Sequence, residues 1–292
     1  MELKGILPAL VTPFDKSGAV DHDTLASIIE YQLKAGVSGF VPLGSTGEYY
    51  ALTNEERRQV LATVKQVVGD RGVLIAGANG SCTREVLEQV KQTVEAGYTN
   101  LLIAPPYYAL PSQDELIHHY RTILDTFQEI KLVLYNYPVR TNVEVGFVVL
   151  EAFRDHPRVV GIKESSGNLL RAIEIGENFK GDYQLACGSD DQALDFFLWG
   201  ARSWICGPAN CFPDQVVDFY RKFASGDIAG AQNVMRALFP VMASMEAGKF
   251  IQKVKYGCEL AGFNAGNARA PLLPLSDAEK AEFRKVFEAS QR

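Results

Sequence analysis

A lysine set inside an apolar, β-branched run is the first residue here that invites chemistry. "VVGIKESSGN", Val159 to Asn168, carries Lys163 in that position. Ammonium groups are rarely buried without a partner. An amine held away from water gives up its proton more readily, and the neutral form attacks carbonyl carbon. The competing reading is a structural ion pair, with Asp190 and Asp191 as the carboxylates within reach. Strand alternation places Val159, Gly161 and Lys163 on one face and Val160, Ile162 and Glu164 on the other, Gly161 leaving space beneath the lysine. Tyr135, in "KLVLYNYP", shares a face with Val133. Its phenol either passes protons while an imine forms and water leaves, or is a core tyrosine with a satisfied hydroxyl. Asn136 faces the other way and reads as structural. "GSTGE", Gly44 to Glu48, has two glycines that permit close backbone approach, so its amides and the Ser45 and Thr46 hydroxyls suit a carboxylate. Arg140 either grips a second carboxylate with two prongs or is an exposed loop arginine. The adjacent pairs Tyr107–Tyr108 and Tyr49–Tyr50 read as packing or interface residues.

These residues need elements to hold them. Eight short apolar runs recur: "GILPALVTPF", "GFVPLG", "VLIAGA", "NLLIAPP", "KLVLYNYP", "VVGIKES", "YQLACG" and "SWICGP". Segments of helical spacing lie between them, as in "DTLASIIEYQLKAG", where Leu25, Ile28, Ile29 and Leu33 share a face and Gly36 follows as a stop. Thr53 with Glu56, Ser112 with Glu115 and Ser276 with Glu279 fit capping boxes. Strand and helix alternating over short connections predicts a parallel sheet. A count of eight, with no G-x-G-x-x-G after the first run, predicts a closed (β/α)₈ TIM barrel rather than an open doubly wound sheet. In such a barrel the chemistry gathers at the C-terminal ends of the strands, and the unusual residues fall there. From about Pro213 the strands stop and a helical extension follows. Residues 1–212 are read as barrel strands and catalytic face, and 213–292 as last barrel helix and extension, in one structural unit.

Composition narrows the function. The chain of 292 residues is 47% hydrophobic, enough for a substantial core. A formal charge of -6 with scattered basic residues argues against nucleic acid or a membrane surface as partner. Five cysteines without a C-x-x-C pair suit thiols in a reducing cytoplasm. The four histidines lack metal spacing on a helix face, so no metal site is expected. "MELKGILPALVTPF" lacks the flanks of a signal peptide, and no apolar run approaches the roughly 18 residues of a membrane span. A soluble cytoplasmic protein is expected.

Taken together, "GSTGE", "PPYY", "YNYPVRT" and "GIKESSGN", in this order, resemble the dihydrodipicolinate synthase / N-acetylneuraminate lyase family, along nearly the whole chain. The resemblance implies a class I lyase on a (β/α)₈ barrel that binds pyruvate as a covalent lysine imine without a cofactor. It also implies a homotetramer built as a dimer of dimers. By resemblance Lys163 is the Schiff-base lysine, Tyr135 the proton-transferring tyrosine, and Ser45 and Thr46 the pair that binds pyruvate's carboxylate. Tyr108 matches a tyrosine that enters the neighbouring subunit's site and completes a hydroxyl relay, while Gly188 and Ile205 line the pyruvate pocket. Arg140 matches the arginine with which the synthase branch grips L-aspartate-4-semialdehyde, and which the sugar-acid lyases lack. The implied reaction condenses pyruvate with that semialdehyde to 4-hydroxy-tetrahydrodipicolinate, towards lysine.

The chain also departs from the synthase pattern. Ser45 stands where synthases more often carry threonine, Asn142 where glycine is usual, and "GKFIQKVK" lacks an N-P-x-P. A related pyruvate-dependent aldolase or dehydratase acting on a sugar acid or other keto acid is therefore the alternative. A barrel that binds a keto acid without turnover is a more distant one. Asn54, Arg57 and Ser81 replace the histidines and asparagine of lysine-inhibited synthases, although Glu85 and Tyr107 match, so weak or absent inhibition by lysine is expected.

Overall fold

A computed structural model describes residues 1–291. Its strands are β1 (Gly5–Pro8), β2 (Gly39–Phe40), β3 (Val73–Leu74), β4 (Ala76–Gly77), β5 (Asn100–Ile103), β6 (Lys131–Asn136), β7 (Val159–Glu164), β8 (Gln184–Cys187) and β9 (Ser203–Cys206). The run "VLIAGA" is parted at Ile75 into β3, which pairs with β2, and β4, which pairs with β5. The nine segments are thus the eight strands of a (β/α)₈ barrel, followed by C-terminal helices. By contact density the chain forms two compact units. One comprises residues 1–4 and 74–205, the other residues 5–73 and the chain from Cys206 onward.

In the first unit β4, β5, β6, β7, β8 and β9 are consecutive parallel neighbours. Leu132, Val133, Leu134 and Ile162 are fully buried, as expected of strands covered on both faces. Between β6 and β7 the register shifts once: Leu132 is level with Val159, but Val133 is level with Gly161. Beyond that shift Tyr135 stands level with Lys163 and Asn136 with Glu164. The space expected beneath Lys163 is filled: a Cβ on Gly161 would lie 2.5 Å from the Gln184 carbonyl oxygen and 2.8 Å from the Leu3 side chain. Glycine is needed there for close approach, not to leave a void. The helix Gln113–Thr126 opens with the expected Ser112–Glu115 capping box.

In the second unit β1 and β2 lie side by side, the Val41 amide donating to Pro8 and the Leu10 amide to Val41. Beyond Pro8 the expected strand gives way to a buried loop held by a side chain. Asn210 accepts from the Val11 amide at 3.1 Å and donates to the Ala9 carbonyl at 2.9 Å, which replaces ladder bonds. The helix His22–Ala35 ends at Gly36, whose φ of 98° suits a residue without Cβ. It buries Leu25, Ile28 and Ile29 as expected, but Gln32 rather than Leu33, because the Gln32 amide donates to Ala209 and to Asn210. The capping boxes at Thr53 and Ser276 both form. After Cys206 this unit is helical, through Pro213–Ala224, Ile228–Glu246, Phe250–Leu260 and Asp277–Ser290.

Candidate active site

Because Tyr135 and Lys163 share a register level on adjacent strands, they project to the same face at the C-terminal ends of β6 and β7. Only 6% of Lys163 and 5% of Tyr135 is exposed. The Lys163 Nζ lies 4.5 Å from the centre of the Tyr135 ring. Among the described residues no carboxylate forms an ion pair with it. Asp190, a candidate counter-ion, accepts instead from the Trp204 indole at 2.9 Å. The structural ion pair is therefore not what holds Lys163. A buried primary amine facing a phenol ring, without a fixed anion, is an arrangement suited to nucleophilic attack on a carbonyl.

Gly188 follows β8 and donates its amide to the Glu164 carbonyl at 2.8 Å. A Cβ on Gly188 would stand 1.9 Å from the Ser165 hydroxyl oxygen and 2.7 Å from the Lys163 Cε, so any side chain there displaces the lysine or its neighbour. Ile205 is buried on β9.

The loop after β6 carries Arg140 on a short helix, Pro138–Thr141, and a side-chain network anchors the chain before and after it. Asn136 donates to Glu164 at 2.8 Å and accepts from the Val145 amide at 2.9 Å. Arg171 reaches Glu164 and Glu144, each at 2.9 Å, and also donates to the Val145 carbonyl. Glu164 accepts from the Ser166 amide at 2.7 Å, tying in the loop after β7. Gln113 bonds the Glu144 carbonyl and the Gly146 amide. Glu164 and Arg171 are both buried, which such a pair tolerates when its remaining polar groups are bonded. Asn136 is thus structural, as expected, and faces away from the Tyr135 side.

Tyr137 was not singled out in the sequence, although alternation within "YNY" puts it on the face of Tyr135. Its ring centre lies 5.9 Å from that of Tyr135, and the Arg140 guanidinium lies 5.4 Å from the Tyr137 ring centre. Arg140, Tyr137, Tyr135 and Lys163 are thus linked by successive ring contacts. Tyr108, also in this unit, is 93% exposed and has φ of +72°, an uncommon conformation for a bulky residue.

Ser45 and Thr46 belong to the second unit, in a tight turn. The Gly47 amide donates to Gly44 and the Glu48 amide to Ser45, each at 3.1 Å, and the Thr12 hydroxyl donates to the Gly47 carbonyl at 2.7 Å. A Cβ on Gly47 would come within 2.9 Å of the Leu10 carbonyl. Glu48, fully buried, accepts from the Lys255 ammonium at 2.7 Å and from the Arg269 amide at 2.8 Å. Lys255 also lies 3.9 Å from the centre of the Phe14 ring. Burial pushes its ammonium pKa down, against the pull of Glu48. This pair was missed, since charges so far apart in sequence carry no pairing signal. Among the described residues no three His, Cys, Asp or Glu side chains gather as a metal-binding group. No helix among them is long and apolar enough to cross a membrane.

Known proteins resemble this chain over its whole length. The model of the dihydrodipicolinate synthetase family matches residues 2–290. A 4-hydroxy-tetrahydrodipicolinate synthase of Methanoculleus marisnigri is 36% identical, with 97% of this chain and 98% of that protein covered. One of Phenylobacterium zucineum is 35% identical, with 96% and 94% covered. Among solved structures, the dihydrodipicolinate synthase of Acinetobacter baumannii complexed with pyruvate is 28% identical, with a TM-score of 0.95 and 99% of each chain covered. That of Thermotoga maritima is 29% identical, with a TM-score of 0.94 and coverage of 100% of this chain and 99% of that one. The chain therefore belongs to the dihydrodipicolinate synthetase family.

Proposed function

We propose that this protein condenses pyruvate with L-aspartate-4-semialdehyde to give 4-hydroxy-tetrahydrodipicolinate. The observation that carries the reading is the buried Lys163 amine beside Tyr135, without a carboxylate partner, in a chain of this family. The neutral amine adds to the keto carbon of pyruvate, and the carbinolamine oxygen leaves as water after protonation, giving an iminium on Lys163. Tyr135 relays the protons. Loss of a methyl proton gives the enamine, whose terminal carbon attacks the aldehyde and regenerates the iminium. The aldehyde oxygen takes up a proton to become the hydroxyl, and the substrate's own amine then adds to the iminium carbon, closing the ring and expelling the Lys163 amine. The lysine serves as the electron sink, so the reaction as written calls for no cofactor.

The remaining assignments rest on family membership. Ser45 and Thr46 take pyruvate's carboxylate, Gly188 and Ile205 line the pyruvate site, and Arg140 takes the carboxylate of the semialdehyde. Tyr108, exposed and held at positive φ, reaches the site of a second copy, and the assembly is a homotetramer, a dimer of dimers. The cytoplasm is the proposed compartment, because the exposed thiol of Cys82 and the buried one of Cys258 suit a reducing medium.

The test is pyruvate consumption with and without the semialdehyde. Consumption that requires the semialdehyde and collapses in Arg140→Ala is the expected result. If borohydride still traps pyruvate on Lys163 but the semialdehyde is not used, the reading fails and the partner is a sugar acid or other keto acid. Failure to trap any adduct at saturating pyruvate would leave a binding protein.

A further inference from the structure

The network around Glu164 and Arg171 anchors the chain at Asn136 and Val145, on either side of Arg140, but does not hold its long side chain. Among the described residues the Arg140 guanidinium makes no hydrogen bond or ion pair, and it lies over the ring of Tyr137. The residue is otherwise exposed. A free arginine side chain samples many rotamers, and each costs entropy to freeze when a carboxylate binds. A ring beneath a planar guanidinium removes much of that cost while leaving the N–H edge open for a two-pronged contact. Tyr137 in turn leans on Tyr135 at 5.9 Å, and Tyr135 on Lys163. The ring therefore also sets how far the guanidinium stands from the amine.

We propose that Tyr137 is a positioning residue that pre-orients Arg140 and so sets preference for an aldehyde bearing a carboxylate. This deepens the reading of Arg140 as the carboxylate-binding arginine and rests on it. The role of Tyr137 is to hold Arg140, not to take part in bond making. What it does for Arg140 comes from its flat face, so phenylalanine keeps that role and an aliphatic side chain does not. The ring is half-buried, so replacing it leaves the strand core intact.

Tyr137→Leu should raise KM for the semialdehyde about three- to tenfold, the range expected of a lost cation–π contact together with lost pre-orientation. It should leave KM for pyruvate and the rate of borohydride-trappable imine formation within about twofold, a margin well below one discarded contact. Tyr137→Phe should restore the wild-type KM. In an Arg140→Ala background, Tyr137→Leu should add nothing, because two residues acting through one contact are not additive. If Arg140→Ala itself leaves KM for the semialdehyde unchanged, the underlying reading of Arg140 fails. If Arg140→Ala raises it but Tyr137→Leu does not, or slows imine formation in equal measure, the positioning role is overturned and Tyr137 supports only Tyr135.

Discussion

At the scale of single residues the site depends on close contacts that leave little room for change. Tyr135→Phe should lower kcat roughly 10²- to 10⁴-fold, the usual contribution of a positioned acid–base group. Rapid quenching with borohydride should show the adduct still forming on Lys163, but slowly; an unchanged rate would remove Tyr135 from the proton path. Gly188→Ala should be as damaging although it removes no reacting group, because its methyl would overlap the Ser165 hydroxyl and press on the Lys163 Cε. Near-native circular dichroism with no trappable pyruvate is the expected outcome for that variant. Lys163 was legible in the sequence because a charge inside an apolar strand conflicts with local pattern. Tyr137 was not, because its importance is a ring-on-ring distance, and an aromatic residue in a loop looks the same whether it stacks or not.

Secondary elements show the same division. The eight apolar runs, the three capping boxes and the helical tail were readable, since period and capping act within a few residues. The parting of β3 from β4, the burial of Gln32 in place of Leu33 and the filling of space beside Gly161 depend on partners far along the chain. So does the environment of His119, on the buried side of the helix Gln113–Thr126. Its Nδ1 meets the Thr83 hydroxyl at 2.9 Å while Nε2 has no partner. Burial, with a small push from His118, lowers its pKa to about 4. The folded protein keeps this imidazole neutral, whereas the unfolded chain protonates it near its ordinary value of about 6.5. Its contribution is therefore complete above pH 6.5 and is lost as pH falls towards 4, about 3 kcal/mol in all. Urea unfolding of His119→Gln between those limits should show a flatter pH dependence than wild type. Parallel curves would place the acid sensitivity elsewhere.

For the molecule as a whole, the expectations concern regulation and assembly. Glu85, which matches the lysine-inhibitor site, already accepts from the Ser81 amide at 2.7 Å and the Ser81 hydroxyl at 2.9 Å. A carboxylate so engaged at the start of its own helix is poorly placed to receive an ammonium ligand. L-Lysine should consequently inhibit only above about a millimolar, the upper end of ordinary metabolite affinities; half-inhibition well below that in a steady-state assay would refute the expectation. If Tyr108 completes a second copy's site, Tyr108→Phe should lower kcat without changing the mass seen by sedimentation velocity. Mixing it with subunits inactivated at Lys163 should give activity different from the sum of the parts. The molecule also carries its own optical label. Its two tryptophans, Trp199 half-exposed and Trp204 fully buried against Asp190, both lie between Leu74 and Ile205, while the other unit has none. Emission therefore reports the opening of the lysine-bearing unit alone, whereas far-ultraviolet circular dichroism averages over the entire chain. Divergence of the two signals along a denaturant titration would reveal a half-melted species in which Lys163 has lost its setting while the other unit remains folded.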